Sequence, residues 1–262
     1  MVSTGTIIIM SIVGLTAFLL SFLFILILRR WFEIQWIPII IGAVTFIIFA
    51  MVLEQISHFF VLGSEMGEEI PLLKNSPWLY VLYGVLAAGV FEETGRLVAF
   101  LLMKRRYRKL DTAISYGIGH GGVEAMILLG LGMVSAIVFS ILINSGSSIL
   151  DGLPAGALEP VTGTANYMYV LSIVERVFAI SVHIGLSVIV WVSVMEEGKW
   201  WLFPVAIILH ALTNLTAGMF QSGLLSSIWM VYIGFIVMTA VTLWVAYVVG
   251  VKRSSHRRKN SV

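Results

Sequence analysis

Glu92, Glu93 and Arg96 interrupt an apolar run from Trp78 to Met103 that is long enough to cross a bilayer. Charged groups at that depth cost roughly 2.5–3.5 kcal/mol each on insertion scales, so they require partners. Five further polar residues lie in later apolar runs: His120 and Glu124, then His183, then His210 and Asn214. Arg96 is four residues after Glu92 and three after Glu93, so one guanidinium can neutralise either carboxylate. His120 and Glu124 are one turn apart, as are His210 and Asn214, so each pair can share a ligand or orient one another.

The chain contains no cysteine, which excludes disulfides, thiolate metal sites and a cysteine nucleophile. It also lacks the His-Glu-x-x-His pattern of soluble zinc proteases. Carboxylates with imidazoles then point to activated water, by either of two routes. In one, His120, His183 and His210, with Glu124 as a further donor, hold Zn²⁺ or another divalent metal that keeps one position open. In the other, Glu92 or Glu93 is a general base, while His210 and Asn214 stabilise the developing oxyanion.

The elements that must position these residues are transmembrane helices. Of 262 residues, 59% are hydrophobic and 11% charged. Soluble domains carry about 25% charged residues, so the chain is a polytopic protein of the cell membrane. A short basic tail gives no support for nucleic-acid binding. Apolar runs predict seven helices: Ile7 to Leu28, Ile37 to Leu62, Pro77 to Met103, Asp111 or Thr112 to Ile143, Tyr167 to Met195, Trp201 to Met219, and Ile228 to Val249. The fourth exceeds the roughly 20 residues of a span. A tilt, or a break among Gly117, Gly119, Gly121 and Gly122, is expected to absorb the excess. Trp78, Trp200 and Trp201 read as interfacial belt residues.

The fold class is therefore all-α, with a seven-helix membrane domain over 1–251, its core motifs over 80–217, and a basic, disordered cytoplasmic tail over 252–262. Alternating loops put thirteen Lys and Arg on one side and Lys74 alone on the other. The positive-inside rule then gives N-terminus out and C-terminus in.

Counted from the basic side, Glu93 lies about ten residues deep, His120 about nine, His183 about twelve and His210 about nine. At 1.5 Å per residue all four reach a common plane ~13–18 Å from that end. Agreement across four helices predicts one site. Nearer the outer side, Glu54, His58, Glu175 and Arg176 form a second group, in which Glu54 and Arg176 are expected to make a structural ion pair.

Glu92-Glu93-x-x-Arg96, then His120, then a late His210-x-x-x-Asn214 resembles the CPBP superfamily of CAAX-processing and bacteriocin-processing intramembrane proteases. The His120-Gly-Gly-x-Glu124 form, the chain length and the layout look most like the YhfC family, described as intramembrane metalloproteases. The resemblance covers about Tyr80 to Ala217. The superfamily spacing is Glu-Glu-x-x-x-Arg; here it is one residue shorter, which leaves open which glutamate acts. The resemblance implies hydrolysis of a membrane-embedded or lipid-modified protein substrate within the lipid bilayer. A further likeness to the Aph subunit of gamma-secretase implies, as an alternative, a non-catalytic scaffold that binds transmembrane helices. A proton-coupled transporter is a third reading, against which no inverted repeat is evident.

Overall fold

In hydrocarbon every backbone N–H and C=O must be satisfied internally, so long apolar runs become helices. The computed structural model describes residues 1–63, 70–153 and 156–251. The loop residues Glu65, Glu68 and Glu69, and the tail from Lys252, lie outside the described residues.

Seven long helices are present among the described residues. They are α1 (Thr4–Leu28), α2 (Trp36–Leu62), α3 (Pro77–Met103), α4 (Leu110–Ser145), α5 (Asn166–Met195), α6 (Leu202–Gln221) and α7 (Ile228–Gly250). All except α3 are long and apolar enough to cross a membrane. The 27-residue α3 carries the three ionisable groups of the first motif. The chain is a multi-pass membrane protein, and its outward surface fits that: Leu102 is 80% exposed and Phe60 78%. In lipid such side chains are solvated rather than stranded.

Of the tilt or break expected to absorb the length of α4, the break does not occur. Leu110–Ser145 is one continuous helix. Its irregularity is a wide π turn, Ala125–Leu131, which begins immediately after Glu124. A second π segment, Ile47–Glu54, lies in α2 and ends on Glu54. Lys109, rather than Asp111 or Thr112, occupies the N-cap position of α4. Thr112 instead donates its hydroxyl to Gln35, 2.8 Å away.

The glycines of α4 serve close packing. A Cβ on Gly119 would stand 1.9 Å from the carbonyl oxygen of Ile39 in α2, and one on Gly42 would stand 2.3 Å from that of Tyr116. The two backbones meet where small residues allow it, as membrane helices commonly do. Gly119→Ala is therefore expected to destabilise the fold by about 1–3 kcal/mol through overpacking. Thermal unfolding in detergent checks this, and an unchanged midpoint would contradict the close approach.

The helices pack α2 on α4, α4 on α5, α3 on α6 and α7 on α5. An apolar core fills the end of the bundle that carries the basic loops. Phe100, Met103, Tyr116, Leu186, Ile189 and Leu202 are all buried in it. The ionisable residues lie just beyond this core.

Candidate active site

Each element delivers its polar group by register. On α3, Glu92 and Glu93 point to neighbouring directions of one turn, so they meet different partners. His120 comes from the glycine-rich part of α4, where close packing against α2 and α5 holds the ring. His183 comes from the middle of α5 and His210 from the middle of α6. Glu93 and Arg96 have no exposed surface, nor has His120, while His183 is 4% exposed and His210 3%.

Two layers result. In the inner layer, Arg96 donates to Glu93 through Nη1. Glu93 Oε1 also accepts from His210 Nδ1 at 2.7 Å. Arg96 Nη2 donates to His183 Nδ1 at 3.0 Å. Arginine is a donor only, so His183 Nδ1 is the unprotonated nitrogen in this arrangement. Its Nε2 is then the protonated one and lies 2.6 Å from Glu124 Oε2. Glu124 Oε1 accepts from Arg176 Nη1 at 2.6 Å, and Arg176 also pairs with Glu175.

In the second layer, His120 Nε2 and Glu92 Oε2 are 2.8 Å apart. Glu92 Oε2 is 4.0 Å from His183 Nδ1, and Glu92 Oε1 is 3.8 Å from His210 Nε2. The rings of His120 and His183 have centroids 4.7 Å apart, and those of His183 and His210 5.5 Å. The four helices thus bring Glu92, Glu93, His120, His183 and His210 together. The arrangement separates the two glutamates: Glu93 is committed to Arg96 and His210, and Glu92 faces the histidines.

Glu92, His120 and His183 each offer one donor atom, all within 4.8 Å of one another. Two imidazoles and a carboxylate are a donor set of catalytic zinc sites, so the residues fit a divalent metal. The grouping differs from the set His120, Glu124, His183 and His210. Glu124 is held on the far side of His183, between that ring and Arg176, where it orients the imidazole as carboxylates behind metal-binding histidines do. His210 has turned Nδ1 to Glu93, leaving Nε2 toward the site.

A chamber of about 550 Å³ reaches Glu92, His183 and His210. Asn214 lines it one turn beyond His210.

The expected Glu54–Arg176 ion pair does not form. Glu54 Oε1 instead faces His58 Nε2 at 3.3 Å, within α2. His58 Nδ1 is in turn 3.0 Å from the Tyr83 hydroxyl. The reason is adjacency: α5 packs on α4, and α2 lies across α4 and α3. Arg176 therefore reaches the carboxylate of its own neighbour, Glu124.

A family model described as YhfC intramembrane metalloprotease matches residues 16–237. The chain belongs to the YhfC intramembrane metalloprotease family. The YhfC match spans every residue of the site, and also Glu54, His58 and Tyr83. The uncharacterized membrane protein YhfC of Bacillus subtilis (strain 168) is 35% identical over 261 residues, covering 97% of this chain and 99% of its own. No solved structure matches. Within this YhfC chain, sequence reasoning missed two features: the Glu124–Arg176 pair behind His183, and the Tyr83–His58–Glu54 chain. The signal for the first was present, since Arg176 is the one intramembrane cation besides Arg96.

Proposed function

We propose that this protein is an intramembrane endopeptidase that hydrolyses a peptide bond of a membrane-embedded or lipid-modified protein. The observation that carries this reading is the meeting of Glu92, His120 and His183 beside a chamber, in a chain of a metalloprotease family. Glu92, His120 and His183 would hold a divalent metal such as Zn²⁺. Such an ion supplies a Lewis acid that lowers the pKa of water and polarises a carbonyl.

The protein's own groups do the rest. Glu92 borders the chamber, so water there meets the carboxylate that would help hold the metal. Glu93 and Arg96 neutralise each other and fix His210 through its Nδ1. A proton taken up on His210 Nε2 makes that ring a donor toward a developing oxyanion, with Asn214 one turn away. Glu124, backed by Arg176, holds the His183 ring.

We further assign α3 as a seventh span, with the N-terminus outside and the C-terminus inside. The support is the loop charge asymmetry and the place of α3 among the other helices. The motif likeness to the CPBP proteases agrees with the hydrolytic reading. A non-catalytic scaffold related to the Aph subunit would need no solvent space beside its histidines, and the chamber favours chemistry over that alternative.

The test compares membranes from cells making the wild-type chain or Glu92→Gln, at matched levels, for new protein termini by mass spectrometry. Termini present with the wild type and absent with Glu92→Gln are expected. Identical termini in both would overturn the assignment.

A further inference from the structure

The chamber is one-sided. Its lining reaches Leu62 at the end of α2, Tyr80 at the start of α3, Gln221 at the end of α6 and Ile228 at the start of α7. All four lie at the end of the bundle opposite the basic loops. Twelve residues separate Tyr80 from Glu92 on α3, so the chamber extends ~18 Å along that helix. Among the described residues, the lining of this chamber does not continue toward the basic loops. There the packed core of Phe100, Tyr116, Leu186, Ile189 and Leu202 closes the path, each of them at most 1% exposed.

The wall of the chamber is loosest along the outer part of α2. Gln55–Leu62 has no buried residue. It is tied to α3 by the Tyr83 hydroxyl, which meets both Ser57 Oγ, at 3.1 Å, and His58 Nδ1. This segment follows the π turn that ends on Glu54, and π turns are frequent at functional sites. Glu54 and Tyr83 both line the chamber.

Volume limits what can be admitted. One turn of α-helix is a cylinder 10–12 Å across and 5.4 Å long, roughly 400–600 Å³. A chamber of about 550 Å³ therefore holds about one turn, or a few residues of extended chain. A whole transmembrane helix, about 30 Å long, is longer than the ~18 Å that the chamber runs along α3.

We propose that the substrate reaches the site from the face opposite the basic loops, as a short unwound polypeptide segment passing the outer part of α2. This rests on the endopeptidase reading for the identity of the substrate, but the side of access is a property of the chamber alone. With the orientation assigned above, that face is the outer one. The bond cut would then lie in the outer end of a membrane segment or just beyond it, and a lipid-modified tail on the basic side would have no path to Glu92.

The absence of cysteine makes the test direct. Single cysteines are placed in the chamber wall at Ala179 and Ala217, neither of which belongs to the site. Arg106→Cys and Ser148→Cys mark the two faces. Sealed vesicles of each orientation receive a small membrane-impermeant thiol reagent. Ala179→Cys and Ala217→Cys are expected to react from the Ser148 side and to be protected from the Arg106 side. Reaction from the Arg106 side, or from neither side, would overturn the proposal. A bulky polyethylene glycol maleimide is expected to fail where the small reagent succeeds. Its reaction would mean a mouth wide enough for a helix and would overturn the unwound-segment requirement. These outcomes do not depend on cleavage, so a loss of the endopeptidase reading would leave them readable.

Discussion

Replacing His120 or His183 with alanine is expected to lower affinity for a divalent metal by more than about 100-fold, beyond the roughly 10–100-fold effect of outer-shell partners. Each of the two supplies one of three donors that converge within 4.8 Å. Losing one leaves two protein ligands, below the three that hold a catalytic zinc. Glu124→Gln is the informative comparison. Its carboxylate touches His183 from behind, so its loss should fall within the outer-shell range. Metal analysis of purified protein and competition titration against a chelating dye measure both. Full retention of metal by His120→Ala and His183→Ala, with loss in His210→Ala, would move the centre to the other side of Glu92. Arg96 adds a constraint. It already donates to His183 Nδ1, so the guanidinium and a metal compete for that nitrogen.

Arg96→Met is expected to reduce stability by about 3–5 kcal/mol, the range for breaking a buried ion pair by removing one partner. Arg96 and Glu93 have no exposed surface, and the deletion would leave the Glu93 charge with His210 alone. The double variant Arg96→Met/Glu93→Gln removes the stranded charge and should recover most of the loss. The cycle of single and double variants, read by thermal unfolding in detergent, gives the coupling energy. A single variant as stable as the wild type would mean that water reaches the pair. Recovery in the double variant separates a charge effect from loss of packing against Tyr116, whose ring lies 5.9 Å from the Arg96 guanidinium carbon.

Helix positions and the common depth of the site were legible because both depend on one-dimensional quantities. Length and hydropathy mark the seven runs, and a fixed rise per residue converts position into depth. Glu93, His120, His183 and His210 fell into one plane on that basis, and they are in contact. What sequence did not carry is the arrangement of helices around that plane. Arg176 was assigned to Glu54 by its outer location, yet α5 lies against α4 and offers it Glu124. The same lack of neighbours hid the division of labour between Glu92 and Glu93. They are adjacent in sequence but about 100° apart around α3, and which faces Arg96 depends on rotamer and packing. Glycines in α4 read as weak points because Gly lowers helix propensity. Their lack of side-chain bulk also leaves room for another backbone, and against α2 they are the condition for two backbones to touch.

The apolar core under the site has an electrical meaning. A water-accessible chamber shares the potential of the compartment at its mouth, so the membrane voltage falls mainly across the packed layer of Phe100, Tyr116, Leu186, Ile189 and Leu202. A charge moving from the mouth to Glu92 then crosses little of the field, against about 2.3 kcal/mol per 100 mV for a full crossing. With access from one face as proposed, the protein would hold water deep in the bilayer without becoming a leak, and the membrane potential would not set the occupancy of its ionisable centre.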